Sequence, residues 1–274
     1  MIERDAPTDD ELAHATPRTL WRLLVAAARS ILRDRTSGVL VAVVVLLMLW
    51  GNQGSVNLLS LLWRGWTGPG SAGNPDRARI LPGIPWDQEW ISFGIGAFLL
   101  VVVPAILIKA VFHERLADYG LGFPSKDRRA LTAWSALALL IVGAPGIWFG
   151  AHQPQIAATY PLFRAFGSDA QFWTYEAGYL VFFVASEFVF RGFLLFGVDR
   201  ARADRATFSF SPVFVAMLAH TTWHLGKPVP ELWSTIAWSL TAGTIALATR
   251  SIWHIIVVHW VLNVFMDLII WKGW

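Results

Sequence analysis

No cysteine occurs among the 274 residues, so disulfides and thiolate chemistry are excluded, and the redox compartment is left open. Charge is also scarce. Asp, Glu, Lys and Arg make up 15% of the chain, against about 25% in ordinary globular domains. The first dozen residues are polar and acidic (Glu3, Asp5, Asp9, Asp10, Glu11) and lack the basic start and apolar core of a secretory signal. They read as a disordered tail. There is no internal repeat and no low-complexity tract.

Apolar residues take the place of the missing charge: 55% of the chain is hydrophobic, 16 residues are Trp, and the mean hydropathy is +0.50. Several apolar runs of roughly 18 residues or more predict an all-α polytopic transmembrane helix bundle. About seven spans are expected, at 38–50, 90–112, 130–150, 172–198, 212–225, 232–249 and 252–271. The first could continue to 63 as a long or broken helix, and the Gly- and Pro-rich stretch 64–87 must be a loop. Trp50, Trp90, Trp148, Trp173, Trp233, Trp253 and Trp271 fall near the ends of these runs, as an aromatic belt requires.

The domain reading is therefore simple. Residues 1–36 form an N-terminal cytosolic tail, and 37–274 form one membrane domain. Within the tail, 19–35 sets Leu, Val, Ala and Ile beside Arg22, Arg29 and Arg33; this suits either an amphipathic interfacial helix or a cytosolic extension of the first span. With the N-terminus in the cytoplasm, fifteen basic residues lie on inner segments, among them Arg18, Arg35, Lys109, Arg115, Arg128, Arg200 and Arg250. Six lie outside: Arg64, Arg77, Arg79, Arg164, Lys227 and Lys272. The asymmetry favours that orientation, and a compact chain without a targeting segment suits a bacterial inner membrane. The pI of about 9.5 needs no nucleic acid, because basic residues flanking the spans explain it.

Three polar clusters interrupt the apolar runs, all in the C-terminal half. The fourth span carries Ser186, Glu187 and Arg191, the last two four residues apart on one helical face. The fifth carries His220 and His224, and the seventh carries His259, Asn263 and Asp267 at intervals of four. Ionisable groups at such depth are costly. Each cluster has a plain structural reading: a buried ion pair fixing helix packing, or interhelical hydrogen bonds. Together, a carboxylate, imidazoles and an amide on three spans are what a hydrolytic or metal site inside a membrane would need.

The order Ser186-Glu187-Phe-Val-Phe-Arg191-Gly192, then His224, then His259-Trp-Val-Leu-Asn263 resembles the CAAX-protease and bacteriocin-processing (CPBP or Abi) family of intramembrane metalloproteases. Its motifs are Glu-Glu-x-x-x-Arg, Phe-x-x-x-His and His-x-x-x-Asn. Glu187 and His224 are 37 positions apart and His224 and His259 are 35 apart, as the family's order allows, and the Asp118-Tyr-Gly-Leu-Gly122 segment is also family-like. The resemblance covers roughly residues 116–268. It implies a peptide hydrolase cutting a membrane-associated protein or lipidated peptide, as in CAAX processing. Glu187, Arg191, His224, His259 and Asn263 would carry catalysis, zinc would be the cofactor, and His224 and His259 would be its ligands.

Two departures bear on activity. The family's first Glu is Ser186 here, and the Phe of its second motif is His220. A serine has no basic form near neutral pH with which to activate water. Three repairs are open: Glu187 as base, Asp267 as the substitute carboxylate, or His220 joining His224 and His259 in a three-histidine metal site. The alternative is a catalytically silent relative that keeps the fold as a membrane binding or scaffolding protein. A transporter is disfavoured by the absence of a repeat and of paired half-spans.

Overall fold

The computed structural model describes residues 16–51, 87–204 and 207–274, and among them there are helices and no strands. Helix α1 is Pro17–Arg33 and α2 is Arg35–Gly51. Helix α3 covers 87–111, α4 is Arg129–Ala151, and α5 is the short Pro154–Thr159. Helix α6 is Asp169–Ala201, 33 residues long. Helices α7 (Ser211–Trp223), α8 (Val229–Thr249) and α9 (Trp253–Lys272) complete the bundle. The acidic tail, the continuation of the first span toward residue 63, the loop 64–87 up to residue 86, and Arg205 lie outside the described residues.

Helices thus stand at each of the seven expected positions, and among the described residues four are long and apolar enough to cross a bilayer: Ser92–Val111 of α3, Lys126–Ala151, α6 and α9. Helix α2 is apolar but shorter over Arg35–Trp50. Helix α7, at 13 residues, rises only ~20 Å at 1.5 Å per residue, less than a hydrocarbon core of ~30 Å. Helix α8 has the length, 21 residues, but carries Glu231, Ser234, Thr235, Ser239, Thr241 and Thr244, which lower its hydropathy.

Helix α6 is the axis of the fold. Phe183, Phe188, Val189, Phe190, Phe193, Leu194, Leu195 and Phe196 are all buried and anchor one contiguous core reaching α2, α3, α7, α8 and α9. In contrast α4 turns Trp134, Ile141, Val142 and Phe149 outward, each at least 63% exposed, as expected of a helix facing lipid. Helix α1 leaves Leu20, Trp21 and Leu24 exposed.

The turn at 116–122 locks α6 to α9. Gly120 has φ +82, and a Cβ there would fall 2.7 Å from Phe196 and 2.8 Å from Ile252, so a side chain is excluded both by backbone conformation and by space. Its carbonyl accepts from the Ile252 amide at 2.9 Å, and the Leu121 carbonyl accepts from Trp253 Nε1 at 2.9 Å. The family-like Asp118–Gly122 segment is thereby a clamp on the start of α9. Beside it Glu114 receives Arg35 and Arg200, each at 2.8 Å, and Tyr119 at 2.6 Å.

Candidate active site

Glu187 stands where α6 changes winding. The α-helix ends at Glu187, and Phe188–Leu194 forms a π-helical turn, entirely buried, before α-helix resumes at Leu195. Such turns inside helices occur often at functional sites. Gly192 permits the turn's close packing: a Cβ there would meet Phe188 at 2.5 Å and the Tyr119 carbonyl at 3.0 Å.

The Glu187 carboxylate is inaccessible to solvent and held from three helices. Its Oε1 accepts from His259 Nδ1 of α9 at 2.6 Å and from Trp238 Nε1 of α8 at 2.9 Å. Its Oε2 lies 3.4 Å from Arg191 Nε one turn along α6. Arg191, 1% exposed, then reaches α7 and α8 through one terminal nitrogen, which donates to His220 Nδ1 at 3.0 Å and to Ser239 Oγ at 3.1 Å. Ser239 Oγ is itself 2.8 Å from that imidazole nitrogen. Because Arg191 can only donate, His220 Nδ1 must be an acceptor.

His224 closes α7. Its Nδ1 bonds the His220 carbonyl at 2.9 Å, which makes Nδ1 the protonated nitrogen, and its ring packs edge-on against His220 at 4.5 Å. Nε2 is left 3.8 Å from Glu231 Oε1 on α8. His259 packs between Phe183 and Trp238, with ring centroids at 4.7 and 4.6 Å, and keeps 28% of its side chain accessible. His220 links His224 to the Arg191 guanidinium, packing on the one at 4.5 Å and bonding the other at 3.0 Å. The short α7 therefore brings His224 into the same site as the mid-span Glu187 even though it ends that helix.

The last two polar residues of α9 turn elsewhere. Asn263 Nδ2 donates to Asp267 Oδ2 at 3.1 Å, and Glu176 is a fully buried carboxyl on α6 with neither oxygen in a hydrogen bond. Asp267 is two turns past His259, ~12 Å along the helix, and Glu176 is three turns before Glu187. Asn263 is thus engaged with the Asp267 carboxyl. Ser186 donates to the Phe183 carbonyl at 3.3 Å and supplies nothing to the cluster.

Zinc is the cofactor implied by the sequence resemblance, and the donors do not fit it. Among the described residues no group of three or more His, Asp or Glu is gathered so as to hold a metal ion. His224 and His259 each engage Nδ1 within the protein, and His220 Nδ1 faces the Arg191 guanidinium, a neighbour that a divalent cation would have to displace.

Several members of this cluster do not announce themselves in the sequence. Trp238 is one of 16 Trp, and Ser239 is one of many hydroxyls on α8. Glu176 looks like a residue near a helix end.

The family model for type II CAAX prenyl endopeptidase, Rce1-like, matches residues 168–265. That segment begins at the N-cap Ser168 of α6 and ends beyond Asn263, so it contains Glu187, Arg191, His220, His224, Glu231, Trp238, Ser239 and His259. The match covers about a third of the chain and agrees with the resemblance carried by the motifs over this segment, which supports a CAAX-protease-like integral membrane protein. No curated protein and no solved structure matches the chain.

Proposed function

We propose that the protein is an intramembrane endopeptidase that hydrolyses a peptide bond in a membrane-associated protein or lipidated peptide. One observation carries the reading: His259 Nδ1 is bonded at 2.6 Å to a fully buried carboxylate, Glu187 Oε1. A carboxylate so placed fixes the imidazole's orientation, leaving Nε2 as the atom presented to a substrate. With both ring nitrogens protonated, His259 would then donate from Nε2 to the scissile carbonyl oxygen as charge develops there. Arg191 and Trp238 hold Glu187 in place, so Glu187 acts through His259. The site would lie between α6, α7, α8 and α9 in a bacterial inner membrane, with the N-terminus in the cytoplasm as the basic residues favour.

The test uses the detergent-purified protein reconstituted in liposomes with two probes: a farnesylated, internally quenched peptide ending in a CAAX sequence, and an unprenylated membrane-spanning peptide. Cleavage of either probe that is lost in His259→Ala and reduced in Glu187→Gln supports the reading. A second reading, the silent scaffold, is favoured by Ser186, whose hydroxyl is tied to the Phe183 carbonyl. Absence of His259-dependent cleavage of both probes would decide for it.

A further inference from the structure

A hydrolase with this site still needs a base. Ser186 cannot serve, Glu187 has Oε1 in two hydrogen bonds and Oε2 against Arg191, and Asp267 with Glu176 lies turns away. Among the described residues two carboxylates come within 4 Å of a histidine nitrogen: Glu187 at His259 and Glu231 at His224. The second pair is unused by the reading above.

Glu231 is built into its position. It sits at the start of α8, 14% exposed, with Oε1 accepting from Tyr160 Oη at 2.7 Å. Tyr160 Oη in turn accepts from Lys227 Nζ at 3.1 Å, and the same ammonium lies 5.1 Å above the tyrosine ring. The other carboxylate oxygen, Oε2, is buried with no hydrogen-bond partner. A buried, unpartnered carboxylate oxygen is unusual enough to call for an explanation.

Oε2 is thus free to take a proton, while Oε1 is the oxygen that faces His224. With its proton on Nδ1, bonded to the His220 carbonyl, Nε2 carries a lone pair and accepts hydrogen bonds. Glu231 Oε1 is also an acceptor, so at 3.8 Å the two atoms cannot bond each other. They can share one water. An oxygen about 2.8 Å from each acceptor fits at the apex of a triangle on that base, donating one hydrogen to each. A water held in this way turns its lone pair away from both acceptors.

We propose that Glu231 is the general base of this protease, replacing the carboxylate that position 186 lacks, and that His224 holds the attacking water beside it. The inference rests on the endopeptidase reading. The water oxygen bonds to the scissile carbonyl carbon as its proton passes to a Glu231 carboxylate oxygen, and the carbonyl electron pair moves onto oxygen opposite His259 Nε2. When the tetrahedral intermediate collapses, the carbonyl reforms and the C–N bond breaks. The leaving nitrogen takes the proton from Glu231, which returns to carboxylate. The products are a carboxylic acid and an amine, with nothing else consumed.

The experiment compares Glu231→Gln, Glu231→Asp, Tyr160→Phe and His259→Ala with the parent protein on the farnesylated CAAX peptide in liposomes, after matching melting temperatures. Gln keeps the acceptor for Tyr160 but cannot take a proton; Phe removes the hydrogen bond and keeps the carboxylate. The expected result is a loss of roughly 100-fold or more in kcat for Glu231→Gln. Glu231→Asp should retain part of the activity with a displaced acid limb of kcat/KM, and Tyr160→Phe should stay within about tenfold of the parent. If the parent cleaves, His259→Ala does not, and Glu231→Gln cleaves at the parent's rate, Glu231 is not the base while the endopeptidase reading stands. Equal losses in Glu231→Gln and Tyr160→Phe would reduce Glu231 to a structural anchor. A parent that cleaves neither this peptide nor the membrane-spanning probe removes the endopeptidase reading and this inference with it.

Discussion

Arg191 and His220 are joined at 3.0 Å through a guanidinium nitrogen that also bonds Ser239, so the arginine's engagement extends beyond the glutamate one turn before it. Spacing alone pairs Arg191 with Glu187. The structure shows that pair as the centre of a chain running from Trp238 and His259 through Glu187 and Arg191 to His220 and Ser239, across four helices. A polar chain of this kind fixes helix register as well as chemistry.

Removal of Arg191 should therefore be severe. Arg191→Ala leaves Glu187 buried beside a vacated guanidinium site, and a loss of about 3–5 kcal/mol is expected, typical of breaking a buried pair. Arg250→Ala is the control: Arg250 bonds Asp199 at 2.8 Å with 46% of its side chain accessible, which predicts a loss of about 1 kcal/mol or less. Thermal unfolding of both variants in one detergent checks the contrast, and equal losses would discard the chain as a stabilising element.

Trp238 should matter through its indole nitrogen. Trp238→Phe keeps an aromatic ring against His259 and removes one of the two hydrogen bonds to Glu187 Oε1. A charged acceptor losing a buried donor predicts about 1.5–3 kcal/mol of destabilisation. Cleavage should fall about tenfold or more as His259 loses its fixed position. A variant with parental kcat and parental melting temperature would show that the indole only fills space.

The legible and illegible parts of this protein divide along physical lines. Hydropathy located a helix at every predicted span, because burial in lipid acts on whole runs of residues. The same signal could not tell a crossing helix from α7, whose 13 residues are apolar but too short. Spacing by four identified Glu187 with Arg191 and His220 with His224 as sharing faces. It also placed Asn263 and Asp267 on the face of His259, but a helical face is several turns long, and depth along it separates Asp267 from the Glu187 cluster. Glu231, Trp238 and Tyr160 were not singled out because their roles arise from contacts between helices, for which no sequence period exists.

Metal removal should leave the protein intact. The described donors do not assemble a metal site, so 1,10-phenanthroline at millimolar concentration is expected to leave cleavage and melting temperature unchanged within about twofold and a degree or two. Elemental analysis of the purified protein should then give substoichiometric zinc. Chelator inactivation reversed by zinc would instead return His224 and His259 to the role of ligands that the family resemblance implies.

Stability should fall in acid through Glu114, outside the membrane spans. Burial acts to raise this carboxyl's pKa, but the hydrogen bonds of Arg200 and Tyr119 and the charges of Arg200 and Arg35 outweigh it and hold the group below its ordinary value of 4.5. A carboxylate with a depressed folded-state pKa contributes stability that is fully present above the unfolded value and is lost as pH falls through the folded one. The loss should therefore appear below about pH 4.5, on the order of 1–2 kcal/mol. Glu114→Gln should be less stable than the parent at pH 7 and should lose less on acidification. Melting temperatures of both proteins from pH 7 down to pH 3.5 test this: the two curves should converge in acid, because the parent then carries a neutral side chain among the same arginines. Parallel curves would mean that the contacts of Arg35, Arg200 and Tyr119 with Glu114 depend on shape and not on its charge.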